Sequence, residues 1–183
     1  MFRHDAHGVP TSRLDTLRRL PMFGQYADEE LVRIDALMYE TTIPAGTAVT
    51  TEGRVRRQAF IVLSGEATVT VAGAQISRLG FGDLIGEMSL LNNQPQSATV
   101  TAEGPLRVLV MDPREFGTWV SDPRAARWLA NDLSARLRAA QTQMSNTASN
   151  AAVASRGAAK APRATALRGR RQSGPATPVH VPA

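Results

Sequence analysis

The chain has 183 residues, no cysteine and a formal net charge of +5. This length predicts one domain with an extension, and the lack of cysteine excludes disulfides and thiolate metal or redox sites. No apolar run approaches the length of a membrane span, and the first residues lack the apolar segment of a secretory signal. We therefore expect a cytoplasmic protein that makes no membrane contact.

The positive charge is concentrated at the C-terminus. Residues 145–183 contain six basic residues and no acidic one, which leaves −1 for the rest of the chain. This segment is rich in Ala, Arg, Pro and Ser and lacks aromatic residues, so we predict a disordered basic tail. Such a tail acts either as a solubilising extension or as a weak, salt-sensitive contact for nucleic acid of any sequence.

Two short amphipathic helices are predicted after a flexible N-terminus at residues 1–11. In the first, Leu14, Leu17 and Leu20 recur at helical spacing until Pro21 ends the run. In the second, acidic residues that suit a helix N-terminus precede an apolar face, namely Asp28, Glu29 and Glu30 before Leu31, Ile34, Leu37 and Met38.

Short β-rich runs separated by glycine turns follow from Thr41. They are Ala59–Leu63, Ala67–Val71, Ala98–Ala102 and Leu106–Met111. Short strands with regularly spaced turns are typical of a small double-sheet barrel. We predict a mainly β fold with flanking helices, a jelly-roll-like double-stranded β-helix that occupies residues 12–144 with its helices.

Two further helices are predicted at the end of this domain. The first begins at Pro113, and the second follows Pro123 and carries apolar residues every three or four positions from Leu129 to Met144. This apolar stripe has two interpretations. It packs on its own barrel, or it pairs with the same helix of a second copy to form a homodimer.

The segment between Gly82 and Val100, which we call the crossover, carries the strongest functional signal. It reads GDLIGEMSLLNNQPQSATV, with glycines ahead of a helical turn at Glu87 and a polar loop around Pro95. Backbone amides freed by small residues can bind an anion. Because the Glu87 carboxylate would repel a phosphate, it is better suited to accept a hydrogen bond from a ligand hydroxyl. Together these groups suit a nucleotide monophosphate.

The crossover resembles the phosphate-binding cassette of the cyclic nucleotide-binding domain family, which includes catabolite activator proteins and protein kinase A regulatory subunits. The residues that match are Gly86-Glu87 and Ser97-Ala98-Thr99-Val100. The resemblance covers about residues 14 to 140. It departs from the family at one position: the arginine that pairs with the cyclic phosphate is replaced by Gln96.

The resemblance implies that cAMP or cGMP is the ligand and that the contacts come from Gly86, Glu87, Met88, Ser89, Gln96, Ser97 and Ala98. Glu87 would accept from the ribose hydroxyl, while Ser97 and the backbone amides of Met88, Ser89 and Ala98 would face the phosphate. Gln96 offers only a neutral amide, and hydrogen bonds to charged groups are about twice as strong as neutral ones.

Two functions therefore remain open. In the first, the chain is a regulatory sensor in which cyclic nucleotide binding moves the helix after Pro123. In the second, Gln96 marks the loss of nucleotide binding, and the domain is a protein–protein or oligomerisation scaffold for an unidentified partner. The space where transcription-factor relatives place a helix-turn-helix domain holds the basic tail instead.

No catalytic residue, cofactor or metal site is predicted, so we expect a protein that is not an enzyme. Its three histidines, at positions 4, 7 and 180, lie near the chain ends without further ligands. A separate basic cluster of Arg54, Arg56 and Arg57 is either a solvated turn or a patch for an anion or a partner.

Overall fold

The computed structural model describes residues 12–158, with side chains described as far as Thr142 and at Ser145. The chain divides into two units between Ala135 and Arg136. The described part of the first unit contains all the strands, and that of the second is helical. The residues of the predicted flexible N-terminus and the three histidines lie outside the described residues.

Two short helices precede the sheets, as predicted, and they are α1 (Arg13–Arg19) and α2 (Asp28–Asp35). The Ser12 hydroxyl caps α1 by accepting a hydrogen bond from the Asp15 N–H at 3.1 Å. The Glu30 carboxylate accepts one from the Ala27 N–H at 2.9 Å at the start of α2. The helices and the turn between them bury several large side chains completely, namely Leu17, Leu20, Phe23 and Leu31.

The turn after α1 also contacts the start of the crossover. Gly82 has a φ of 87°, and a Cβ added there would lie 2.8 Å from Cδ of Pro21. Only glycine allows this approach without displacing the proline. The helical entry and the crossover are therefore packed against each other.

Eight antiparallel strands form two four-stranded sheets. The first sheet has the order β1 (Tyr39–Ile43), β8 (Leu106–Met111), β3 (Ala59–Ser64) and β6 (Leu84–Ile85). The second has the order β2 (Ala48–Thr50), β7 (Thr99–Ala102), β4 (Ala67–Val71) and β5 (Ala74–Leu79). This arrangement confirms the predicted jelly-roll-like fold, and each of the four β-rich runs forms a strand.

Strand β3 is covered on both of its faces. Phe60 and Val62 pack between the sheets, whereas Ile61 and Leu63 pack with the helices on the other face. Alternation of side chains along a strand produces this division. The first sheet is thus the middle layer of the domain, and its partner sheet covers the face that carries Phe60.

Two helices follow the sheets: α4 (Pro113–Val120) and α5 (Pro123–Ala158). Leu129, near the start of α5, is buried, and Leu133 packs against the same apolar cluster within the first unit. These two leucines of the predicted stripe therefore pack on their own domain. Leu137, in the second unit, is largely exposed. A homodimer through the rest of the stripe stays a prediction.

The predicted end of the last helix is wrong. We expected disorder from residue 145, but α5 continues to Ala158. Alanine recurs through this stretch, and its high intrinsic helix propensity favours continuation of the helix. The rest of the basic tail, from residue 159, lies outside the described residues, so its nucleic-acid contact stays a prediction. Within residues 12–158, no helix is both long and apolar enough to cross a membrane.

Candidate functional site

The crossover begins its helix with a backbone conformation that needs glycine. Gly86 follows β6 and has a φ of 84° and a ψ of 0°, and it is the N-cap of the six-residue helix α3 (Glu87–Asn92). A Cβ at Gly86 would lie 2.5 Å from the carbonyl oxygen of Gln58 and 3.5 Å from Nε2 of Gln96. The crossover and the loop before β3 thus approach each other at backbone distance.

Three polar side chains are buried together behind this turn. Glu87, Ser89 and Gln96 are 4%, 5% and 6% exposed. Thr50 is the fourth buried polar residue in the described part of the chain. Burying a polar group costs free energy unless it forms hydrogen bonds. A barrel crossover with no other role would fill this space with apolar residues more favourably.

The Gln96 side chain is held by hydrogen bonds to the protein. Its Nε2 donates to the carbonyl oxygen of Arg56 at 2.9 Å and to the Ser89 hydroxyl at 2.8 Å. Its backbone N–H donates to the Arg54 carbonyl at 2.9 Å, and its own carbonyl accepts from the Gly53 N–H at 2.8 Å. Gln96 therefore fixes the loop of residues 51–58, which we call the arginine loop, against the crossover.

Ser89 lies at the centre of this contact. Its hydroxyl oxygen is 2.9 Å from the Gly86 carbonyl and 3.0 Å from the Arg56 carbonyl, while it accepts from Gln96. A hydroxyl has one proton, so it donates to one of these two carbonyls at a time. Ser89 acts here through its side chain, whereas the family resemblance implied a role for its backbone amide.

The arginine loop places one guanidinium over a buried aromatic ring. The guanidinium carbon of Arg56 lies 4.9 Å from the ring centre of Phe60, which pairs with Ile85 immediately before Gly86. Its Nε and Nη2 are each 3.4 Å from Oε1 of Gln58, a weak contact. The sequence indicated a basic cluster at this place, but not which arginine approaches the crossover.

The other predicted site residues lie at the rim of this cluster. The Met88 side chain is 40% exposed, and Ser97 is exposed. Ala98 is half-buried against the core between the sheets, and its carbonyl accepts a hydrogen bond from the Thr50 hydroxyl at 3.2 Å. The structure therefore brings Gly86, Glu87, Ser89 and Gln96 together, with Met88, Ser97 and Ala98 beside them.

Two open cavities lie elsewhere in the first unit: one of about 210 Å³ between the start of α5 and Gln25, and one of about 390 Å³ between the start of α5, α2 and α4. Arg124 borders both of them. Its guanidinium donates to Glu30 at 2.7 Å and to Asp122 at 2.8 Å, and it lies over the Tyr26 ring.

Arg124 controls the ionisation of its two partners. Its hydrogen bonds lower the pKa of Glu30 from the ordinary 4.5 to about 2, and they also lower the pKa of Asp122. The hydrogen bonds that Arg124 donates to these carboxylates raise its own pKa. This cluster joins the first turn of α5 to α2. In the described part of the chain, no group of three His, Asp or Glu residues is arranged to bind a metal.

Comparison with known proteins shows similarity to one family. The model of the family described as "Cyclic nucleotide-binding domain" matches residues 40–122. This range contains the whole crossover and the arginine loop, and every strand except the first residue of β1.

Among the relatives found by sequence are two fungal proteins named cAMP-dependent protein kinase regulatory subunit. The one from Yarrowia lipolytica is 35% identical over 102 residues, which is 55% of this chain and 27% of the relative. The one from Mycosarcoma maydis is 34% identical over 109 residues, which is 55% of this chain and 21% of the relative. The chain thus matches about a quarter of the length of these relatives.

Solved structures give the same fold. The catabolite activator protein of Thermus thermophilus aligns with a TM-score of 0.61 and 26% identity, over 70% of this chain and 63% of that one. A cyclic nucleotide-binding domain from Methylobacillus flagellatus aligns with a TM-score of 0.64 over 73% of this chain and 81% of that one. Its identity of 24% supports the fold alone.

Proposed function

We propose that this chain carries a domain of the cyclic nucleotide-binding family and is a non-catalytic regulatory module that binds cAMP or cGMP at the crossover. In this proposal Glu87 accepts a hydrogen bond from the ribose hydroxyl. The Ser97 hydroxyl and the backbone amides of Met88, Ser89 and Ala98 face the phosphate, and Gly86 allows the close approach.

One observation carries the proposal: the buried polar cluster of Glu87, Ser89 and Gln96 behind a glycine turn. Burying a carboxylate and two other polar side chains costs free energy that their hydrogen bonds must offset, and apolar residues would avoid this cost. Sites that break the local rules of packing in this way are commonly functional. A ligand with a hydroxyl and a phosphate would use the polar groups that this packing retains.

We expect the binding to be weaker than in a relative with arginine at position 96. Where no other cation compensates, replacing a charged donor by a neutral amide costs about 1–3 kcal/mol in a shielded site, a loss of about tenfold to a hundredfold. Ligand binding would be signalled through movement of α5 where its first turn joins α2. The Arg124 contacts are the ones that such a movement would have to rearrange.

Titration calorimetry of the full chain with cAMP and with cGMP tests the proposal. We expect saturable heat with at least one of them in the micromolar to millimolar range, and its loss in Glu87→Ala. Glu29→Ala is the matched control, because Glu29 is an exposed carboxylate on α2. Binding that survives in Glu87→Ala would contradict the site. A folded protein that gives no heat at millimolar ligand would contradict the function.

The second candidate is a scaffold that has lost its ligand. It is favoured by the fact that both amide hydrogens of Gln96 are directed at protein acceptors, Arg56 and Ser89, rather than left for a phosphate. The same titration separates the two functions. No heat with either nucleotide, together with self-association in sedimentation velocity, would favour the scaffold.

A further inference from the structure

We propose that Arg56 supplies the positive charge for the phosphate of the bound nucleotide, in place of the residue at position 96. The inference rests on the function proposed above, because it assigns a phosphate-binding residue to the same site. Gln96 then acts as a positioning residue. It does not pair with the phosphate but holds the arginine loop beside the crossover.

Gln96 connects the crossover to the arginine loop. Its side chain donates to the carbonyl of Arg56, and its main chain exchanges hydrogen bonds with Gly53 and Arg54. Ser89 lies within hydrogen-bonding distance of the same Arg56 carbonyl, at 3.0 Å. The backbone of Arg56 is therefore fixed by two buried side chains of the crossover.

The guanidinium of Arg56 lies near the residues that precede α3. It lies over Phe60, the β3 residue that pairs with Ile85, and Ile85 is the last residue before Gly86. The neighbouring Gln58 is the residue whose carbonyl approaches Gly86. The charged end of Arg56 thus lies over a β3 residue whose strand partner directly precedes the start of α3.

The positive charge of Arg56 is not balanced by a nearby carboxylate in the described part of the chain. Within the described residues Arg56 forms no ion pair, and the polar contacts of its guanidinium are two 3.4 Å approaches to the neutral Gln58 side chain. Its loop contains three arginines and one glutamate, and Glu52 already accepts a hydrogen bond from the Ala72 N–H at 2.8 Å. Arginine is well suited to phosphate because its planar group donates two parallel hydrogen bonds.

Arg56 is distinguished from its two basic neighbours by these contacts. Arg54 and Arg57 are exposed in the same loop. Of the three, Arg56 combines a carbonyl bound by the crossover side chains with a guanidinium stacked on the core. The neighbours therefore supply matched controls with the same charge and similar exposure.

The experiment measures the affinity of the full chain for cAMP and cGMP in the wild type and in Arg56→Ala, Arg54→Ala and Arg57→Ala. We expect at least tenfold weaker binding in Arg56→Ala and less than threefold change in the two controls. Gln96→Arg returns a cation to the crossover. We expect it to restore at least tenfold in affinity in the Arg56→Ala background and to improve the wild type by a smaller factor.

Each alternative result has a defined meaning. Wild-type binding that is unchanged in Arg56→Ala overturns this inference and leaves the proposed function intact. Equal weakening in all three variants also overturns it, because only the overall charge of the loop would matter. A wild type that binds neither nucleotide contradicts the proposed function itself. Thermal unfolding of each variant, with Arg56→Lys as a charge-preserving companion, identifies any loss of affinity caused by misfolding.

Discussion

Among the arginines of the first unit that lie over aromatic rings, Arg124 and Arg56 differ in their surroundings. The guanidinium carbon of Arg124 is 4.0 Å from the ring centre of Tyr26, and that of Arg56 is 4.9 Å from that of Phe60. Arg124 also donates to two carboxylates, those of Glu30 and Asp122. In the described part of the chain, the polar contacts of the Arg56 guanidinium are with the neutral amide oxygen of Gln58 alone.

We infer from this difference a structural role for Arg124, in contrast to the binding role proposed for Arg56. The charge of Arg124 is already compensated, so its contacts connect α5 to α2 without any ligand. The charge of Arg56 is not compensated by a carboxylate, although hydrogen bonds to its backbone fix its place in the loop. An arginine that is positioned but not paired is the one that an anionic ligand can use.

The largest expected effect comes from separating the arginine loop from the crossover at Gly86. In Gly86→Ala, the new Cβ meets the Gln58 carbonyl at 2.5 Å and the backbone has a left-handed φ. We expect a loss of about 3 kcal/mol or more in the free energy of unfolding, from strain and collision together. Urea denaturation measures it.

Gly73→Ala is the control for that change. Gly73 has a similar φ of 78° but open space where its Cβ would lie. Its free energy of unfolding should fall only by the cost of the left-handed conformation, about 1–2 kcal/mol. Equal losses in the two variants would show that the close approach at Gly86 contributes nothing.

The next effect comes from removing the amide that positions Arg56. Gln96→Met keeps the volume of the side chain but removes the two hydrogen bonds that the amide donates, to the Arg56 carbonyl at 2.9 Å and to the Ser89 hydroxyl at 2.8 Å. We expect a loss of about 1–3 kcal/mol in unfolding free energy. Gln94→Met, at an exposed position of the crossover, should change the unfolding free energy by less than about 0.5 kcal/mol. An unchanged stability in Gln96→Met would mean that Gln96 does not anchor the arginine loop.

The smallest effect distinguishes the two arginines directly. Arg56→Ala should lower the unfolding free energy by less than about 1 kcal/mol, because it removes only an exposed cation–π contact. Arg124→Ala should lower the melting temperature by more than Arg56→Ala does. Thermal unfolding of both variants beside the wild type measures the comparison. The reverse order would refute the distinction between the compensated and the uncompensated arginine.

The dependence on pH provides a second readout for Arg124. The folded pKa of Glu30 is about 2, below its ordinary 4.5, so its contribution to stability is present above pH 4.5. That contribution is lost as the pH falls from 4.5 through 2. The difference in melting temperature between the wild type and Arg124→Ala should therefore shrink over this range. A constant difference would contradict the coupling.

The sequence allowed most of the fold to be predicted because the pattern of apolar residues is regular where both sides of an element are covered. Strands β3 and β8 are buried along nearly their whole length, and both were predicted within a residue. Strand β5 was not predicted, because five of its six residues are exposed and it has no apolar face. The extension of α5 beyond Met144 was missed because its helical character rests on alanine propensity rather than on an apolar stripe.

The site was only partly accessible from sequence. The spacing of Gly86, Glu87 and Gln96 indicated a ligand site, since these residues lie within one short segment. The contact of Gln96 with Arg56 joins residues 40 positions apart. Local spacing contains no information about which arginine in a basic cluster meets a distant amide, so this contact required the three-dimensional structure.

The packing of the N-terminal helices under the first sheet has a practical consequence for anyone who shortens this protein. The matched family range starts at residue 40, yet Leu17, Phe23 and Leu31 are completely buried ahead of it. A fragment trimmed to residues 40–122 would expose the face of the first sheet that the N-terminal helices cover. It would also remove Pro21 from beside Gly82. The smallest portion worth expressing therefore begins at the capping serine, residue 12.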